Sequence, residues 1–234
     1  MPGERSRRAT RTVVQVRGLA RHIGLRAALG RQLRSVPARV ADKVYARSTD
    51  RLLVKDLDGV GAYAPPQAAA VRVERIRQHH AEELVELRLR PESWNPVQAA
   101  KIREYLRKGY QGFLIRRDGR TAGHFWWIDT TIAPTHPDLA EFHVPLGEGD
   151  VYGFDYYIAP DERGAGLATD ALRMMLAELA RLGYRRLWGT AGLANPAALW
   201  TYVADGFTTA HTVTTVRLLG RRSSTVVDGA GGQT

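Results

Sequence analysis

Hydrophobic and polar positions along this chain fall into segments of two periods. Val71-Arg72-Val73-Glu74-Arg75-Ile76 alternates as a half-buried strand should, and Arg51-Leu52-Leu53-Val54-Lys55 is a short apolar run closed by Asp58-Gly59. Residues 79–89 carry helical spacing. A second helix is expected from Asn95, a good cap, with Pro96 in the first helical position and Gln98 where a capping box puts its amide. Residues 110–116 and 121–129 are apolar runs separated by Arg117-Asp118-Gly119-Arg120, whose Asp-Gly pair marks a hairpin turn. The second run contains Phe125-Trp126-Trp127, which is either core or the wall of a substrate pocket. Residues 130–150 hold Pro134, Pro137, Pro145, Gly147 and Gly149 and read as a long irregular connection, a kind of segment that is often functional.

Beyond that connection, residues 151–158 are aromatic and β-prone and stop at Pro160. From Leu167 onward, Ala168, Leu172, Met175, Leu176, Leu179 and Leu182 share one helical face until Gly183. Arg185-Arg186-Leu187-Trp188-Gly189-Thr190 reads as the next strand. A strand, a helix and a strand in this succession place the two strands parallel to each other. Asn195-Pro196 then opens another helix, with Asn as cap and Pro in the first turn.

Charge changes the picture at the N-terminus. Residues 1–47 contain 12 Lys/Arg against Glu4 and Asp42 and so carry the whole formal net charge of +10, leaving a neutral body with 22 basic and 22 acidic residues. Within this basic extension, Leu25, Leu29, Leu33 and Val36 give a weak helical pattern over residues 19–36. Gly18, Gly24 and Gly30 each weaken such a helix by about 1 kcal/mol relative to alanine. Packing against its own domain or a twin subunit, contact with an anionic membrane surface or RNA, and disorder are competing uses for the extension. The Ser6-Arg7-Arg8 start lacks the uninterrupted apolar stretch of an export signal, and no stretch approaches the roughly 20 apolar residues of a membrane span. With no cysteine in the chain, disulfides, thiolate metal sites and a cysteine nucleophile are excluded, and a cytoplasmic address is expected. The adjacent histidines His79 and His80 point apart on a helix, and no metal site is expected. Residues 220–234 are expected as a flexible tail.

The segment that carries chemistry is Asp161-Glu162-Arg163-Gly164-Ala165-Gly166-Leu167-Ala168, between the strand ending at Ile158 and the helix from Leu167. A strand, a glycine-rich turn and a helix bring backbone N–H groups and a positive helix end onto one anion. Gly164 and Gly166 lack the Cβ atoms that would hold a pyrophosphate away, and Arg163 adds a charge at the rim. The same turn also serves mere chain reversal. No G-K-[ST] is present, and Thr169 stands where a dinucleotide motif needs its third glycine.

The Arg-x-x-Gly-x-Ala loop at 163–168, the helix and strand after it, and Asn195, Tyr202 and Gly206-Phe207 in the next helix come in an order and spacing that resembles the GNAT N-acetyltransferase superfamily. The clear resemblance covers residues 151–207. It implies an α/β (α+β) fold: a single domain over residues 48–219, with a mixed central sheet flanked by helices, to which the basic N-terminal extension of residues 1–47, outside the resemblance, is added. It implies an acyl-CoA-dependent N-acyltransferase that uses acetyl-CoA as co-substrate and needs no metal. Backbone groups near Tyr157 and Ile158 would hold the pantetheine arm, the amides of Arg163, Gly164, Ala165, Gly166, Leu167 and Ala168 the pyrophosphate, and Asn195 would also touch the donor. Tyr202 stands where the family places a general acid for the departing thiolate; a packed aromatic is the other reading of this residue. The base is not declared. Asp155 is a candidate if a bulge turns it toward the donor, and Glu141, His143 and His124 could line an acceptor pocket. Thr190 stands where some relatives have a glutamate. The acceptor implied is a primary amine of a small molecule, with a protein N-terminus or lysine second. A non-catalytic acyl-CoA sensor, or a module recruited by its basic arm, is the reading from another class.

Overall fold

A computed structural model of the chain describes residues 45–64, 70–132, 135–164, 166–218 and 221–227. Its elements run β1 (Tyr45–Asp56), β2 (Val71–Arg75), α1 (Ala81–Leu89), α2 (Pro96–Arg107), β3 (Gln111–Arg117), β4 (Arg120–Ile128), α3 (Pro137–Glu141), β5 (Asp150–Ile158), α4 (Leu167–Arg181), β6 (Arg186–Gly192), α5 (Pro196–Ala204), β7 (Thr208–Leu218) and β8 (Arg221–Val227). The described residues of 47–215 and 223–227 form one compact unit. The helix expected over 19–36 lies outside the described residues, as does the extension up to residue 44. Among the described residues no helix is long and apolar enough to cross a membrane.

Local chemistry sets several of these elements. The β3–β4 hairpin turns through Asp118 (φ 50°) and Gly119 (φ 77°), the two positive angles that a tight Asp-Gly hairpin requires. Asn95 caps α2 by accepting the Gln98 N–H at 3.1 Å. The reciprocal half of the expected capping box is absent, because the Gln98 side-chain oxygen is buried without a partner among the described residues.

The eight strands form one mixed sheet in the order β2-β3-β4-β5-β6-β1-β7-β8. β5 and β6 are parallel, as the strand-helix-strand pattern predicts, and β6 pairs antiparallel with β1. The short run at 51–55 is therefore part of an inner strand, with Leu52 facing one core and Leu53 the other. Where a flexible tail was expected from residue 220, Arg221–Val227 is a strand.

Alternation along the strands splits the interior in two. Phe125, Trp127, Val151 and Leu187 pack with α4 and α5, while Trp126, Ile128, Tyr152 and Trp188 pack with α1 and α2. Trp126 and Trp127 are wholly buried on opposite faces, which decides for core over pocket wall. The long connection returns to the sheet at Asp150, a buried carboxylate that accepts from Arg186 Nε at 2.8 Å, Trp188 Nε1 at 3.1 Å and the Gly147 N–H at 3.0 Å. Burial raises its pKa, but these donors outweigh burial and hold it below the ordinary value.

β4 crosses closely beside β5 at Gly123, where an added Cβ would stand 2.2 Å from the Tyr157 carbonyl oxygen. Backbone cannot yield as a side-chain tip can, so Gly123→Ala is expected to cost about 1–3 kcal/mol. A lowered urea midpoint at unchanged slope is the measurement that checks it.

Candidate active site

Parallel pairing between β5 and β6 runs from Asp150 opposite Arg186 to Gly153 opposite Gly189 and stops there. Both strands continue, β5 to Ile158 and β6 to Gly192. Beyond Gly153 the two strands part, and a cavity of about 530 Å³ opens, lined by β5 and β6 and by the starts of α4 and α5. A larger cavity of about 750 Å³ lies between α4 and the segment after β1, and none of the described residues of the 150–168 stretch lines it.

A bulge shapes the β5 wall. Between the pairs Trp126–Phe154 and His124–Tyr157, β4 advances two residues while β5 advances three. The extra residue shifts parity: Tyr152 and Phe154 belong to the α1–α2 side, whereas Tyr156 and Ile158 pack on the α4–α5 side. Asp155 sits at the bulge with φ 47°, a left-handed conformation uncommon outside glycine and asparagine. The bulge that strict alternation from Ile158 would have needed is therefore present, and Asp155 reaches the cavity wall.

Asp155 is not free in this position. Its Oδ1 lies 2.5 Å from Arg88 Nη2, with both side chains nearly buried. The Arg88 guanidinium also stacks 3.4 Å from the Tyr157 ring centroid and donates through Nε to His124 Nε2 at 3.0 Å. His124 therefore accepts as a neutral imidazole. Burial, reinforced by Arg88 and opposed by Asp155, pushes its pKa down to about 4. His124 Nδ1, Tyr157 Oη and Asp155 Oδ2 are all buried without a partner among the described residues.

The loop after β5 is built as its sequence suggests. Pro160–Glu162 makes one 3-10 turn, and Arg163 Nε donates to the Ile158 carbonyl at 3.1 Å, bending the chain toward α4. Gly164 (φ 96°) and Gly166 (φ 77°) take angles that L side chains avoid, and Gly166 begins α4 with no side-chain cap. No side chain caps this start, but the Leu167 N–H donates to the Gly164 carbonyl at 3.2 Å, so an external acceptor would be met by the first-turn amides after it. Ala165 lies outside the described residues. Arg163, Gly164 and Ala168 line the cavity, while Leu167 is buried in the core beneath it. The Tyr156 hydroxyl donates to the Ala168 carbonyl and ties the first turn of α4 to β5.

Tyr202 reaches the cavity from α5. Its ring meets Phe207 edge-on at 4.8 Å, and its hydroxyl, which makes no hydrogen bond among the described residues, stands near Gly189, where the strands part. Burial pushes its pKa up to about 12, so the phenol stays protonated at neutral pH. Asn195 also lines the cavity, but its side-chain oxygen is occupied in capping α5, accepting the Ala198 N–H at 3.2 Å.

On the far wall the cavity meets Thr190 of β6 and Asp138 of α3. The Tyr152 hydroxyl joins them, donating to Asp138 Oδ2 at 3.1 Å and lying 3.3 Å from Thr190 Oγ1. Asp138 was not singled out in the sequence. The only local signal is Pro137 before an acid in a long connection, which by itself denotes a helix start. Glu141, His143 and His124, which were singled out, do not line the cavity, and neither does the Tyr157 side chain. Glu141 accepts from Thr215 at 3.3 Å, and among the described residues no His/Asp/Glu group has metal-holding geometry.

The family model described as Acetyltransferase (GNAT) family matches residues 73–207. Among solved structures, the chain resembles a fungal glucosamine N-acetyltransferase region of a multi-domain GH3 beta-N-acetylglucosaminidase (TM-score 0.56, 18% identity, covering 77% of this chain and 22% of that one). It also resembles a GCN5-related N-acetyltransferase from Sphaerobacter thermophilus (0.53, 14%, 81% and 56%) and a GNAT-family acetyltransferase from Colwellia psychrerythraea (0.50, 12%, 73% and 56%). The chain spans less than two thirds of each of these proteins, as it does of further relatives at 63% and 58%. No curated protein matches the sequence.

A histidine held neutral in the folded state resists a proton that the unfolded chain accepts. His124 therefore contributes stability above its ordinary value of 6.5 that is lost as pH falls toward about 4. Urea midpoints should drop across that window in the wild type, and His124→Gln, which can still accept from Arg88, should flatten the drop; an unaltered profile would place its origin elsewhere.

Proposed function

We propose that this chain, which belongs to the GNAT acetyltransferase family, transfers an acetyl group from acetyl-CoA to the primary amine of a small molecule, both substrates being held together in one complex. The observation that carries this reading is the cavity where β5 and β6 part, with a glycine-rich helix start on one wall and the protonated Tyr202 hydroxyl on another. The amides and positive end of α4, with Arg163, suit the donor's pyrophosphate. Beyond Gly153 the β6-facing edge of β5 has no strand partner, which suits an extended pantetheine arm near Tyr157 and Ile158, with the Ile158 carbonyl shared with Arg163 Nε. An amine attacking the thioester carbonyl forms a tetrahedral oxyanion, and collapse expels a thiolate. The Tyr202 hydroxyl protonates that thiolate as the C–S bond breaks.

An amino sugar or amine intermediate is the acceptor class favoured, and a cytoplasmic setting goes with it. Incubation with acetyl-CoA and a panel of amines, read as free thiol, is expected to give amine-dependent release. Donor binding with no release for any amine would instead favour a non-catalytic acyl-CoA-binding module. Tyr202→Phe should lower kcat by roughly 10²-fold or more while leaving donor affinity intact, since only a proton donor is lost. Unchanged turnover would reduce Tyr202 to a packing residue.

A further inference from the structure

Among the described residues three charged side chains line the cavity: Arg163, Asp155 and Asp138. They differ in what compensates them. Arg163 sits on the loop, bonded to the Ile158 carbonyl. Asp155 has its charge met by Arg88 at 2.5 Å. Asp138 accepts only a neutral hydroxyl, from Tyr152 at 3.1 Å, and among the described residues no Lys or Arg pairs with it. His136 Nδ1 lies 3.5 Å from Asp138 Oδ1, but this nitrogen is the acceptor of the Asp138 N–H at 3.3 Å and so carries no proton. Burial also lowers the His136 pKa, and its ring stacks on Phe154 at 4.2 Å. Asp138 is thus the uncompensated negative charge of the cavity, with its side chain about a quarter exposed, at 28%.

Position strengthens the point. Asp138 is fastened to the Tyr152 hydroxyl and Arg163 to the Ile158 carbonyl, anchors six residues apart on β5, whose Cα atoms are at most about 20 Å apart. The cavity therefore carries a cation on the loop where the pyrophosphate is proposed and a carboxylate on α3, held by different residues of β5.

We propose that Asp138 binds the ammonium group of the acceptor and removes its proton. This deepens the acetyl-transfer reading and rests on it. An amine that is protonated at neutral pH enters as R–NH₃⁺ and gives one proton to Asp138 Oδ. The freed lone pair forms the N–C bond at the thioester carbonyl, and the C–S bond breaks with the thiolate taking the Tyr202 proton. The second nitrogen proton restores Tyr202, and Asp138 returns its proton to water. The products are amide, CoA thiol and one released proton. An unpaired carboxylate also selects: an amine flanked by its own carboxylate brings a second negative charge to the same corner, so amino sugars and simple cationic amines are favoured over free α-amino acids. The groups that act on this corner are His136, Tyr152 of β5, Tyr105 of α2 and Tyr110, with Lys101 of α2, Lys108 just after it and Asp155 acting on His136.

The test compares wild type, Asp138→Asn and Asp138→Glu for acetyl-CoA binding by calorimetry and for kcat/KM toward the best amine across pH. Expected are unchanged donor affinity, a roughly 10²-fold or larger loss of kcat/KM in Asp138→Asn with disappearance of the acid limb of the profile, and partial recovery in Asp138→Glu. If Asp138→Asn binds acetyl-CoA and keeps the wild-type kcat/KM and acid limb, the proposal is overturned while acetyl transfer stands. If the wild type binds no acetyl-CoA, the acetyl-transfer reading fails and takes this one with it. Should Asp138→Asn not fold, Tyr152→Phe removes the hydroxyl that orients the carboxylate and should lower kcat/KM for the amine with donor affinity unchanged; an unchanged kcat/KM overturns the proposal.

Discussion

The ion pair between Arg88 and Asp155 holds one residue of β5 in the left-handed region, and the shape of the cavity follows from that residue. Such a conformation costs about 1–3 kcal/mol for a non-glycine residue and persists only where the surroundings over-determine it. Here the surroundings are a guanidinium clamped by a carboxylate, an imidazole and a phenol ring. Removing one partner would leave the other charge buried and unpaired, a loss of about 3–5 kcal/mol. The pair thus fixes the bulge, and the bulge lets one strand face both layers of helices. Phe154 lines the cavity from the α1–α2 side and Tyr156 and Ile158 from the α4–α5 side. Without the shift in parity, β5 could not serve the α4 loop and the Asp138 corner at once.

What the sequence made legible is what short-range chemistry decides. The Asp118-Gly119 turn, the Asn95 and Asn195 caps, the amphipathic α4 and the loop with its two glycines follow from residues within one or two turns of each other. The family was readable for the same reason, since its motifs lie in the contiguous stretch 151–207. What escaped was set by partners remote in sequence. Asp155 could not be oriented because the bulge is a mismatch between β4 and β5, visible only when both are paired. Trp126 and Trp127 could not be assigned to core or pocket until sheets of helices covered both faces. Asp138 depends on Tyr152 and Thr190, which reach it from two different strands. Strands β7 and β8, rich in threonine and arginine, gave too little apolar alternation to separate from loop and tail.

The same division separates the two halves of the proposed chemistry. Tyr202 needs only burial to keep its proton, and an apolar helix beside Phe207 supplies that. Asp138 needs the opposite: a carboxylate with which no Lys or Arg of the described residues pairs, in the same cavity as an Asp155 matched by Arg88. Sequence motifs record the first kind of demand, because a helix with a buried tyrosine is a local object. They do not record the second, because the lack of a counter-ion is a property of everything that surrounds the site.

One further consequence follows from the place of β1. Leu52 and Leu53 are wholly buried, one in each core, yet the strand that flanks them on one side is β6, where Leu52 lies opposite Thr190. A chain made from its N-terminus at about 5–20 residues per second leaves this strand without that neighbour for on the order of ten seconds. During that interval two apolar side chains and a row of unpaired amides are open to other chains. The sheet cannot close around β1 until β6 has been synthesised, so this strand takes its place late although it is among the first described elements to be made.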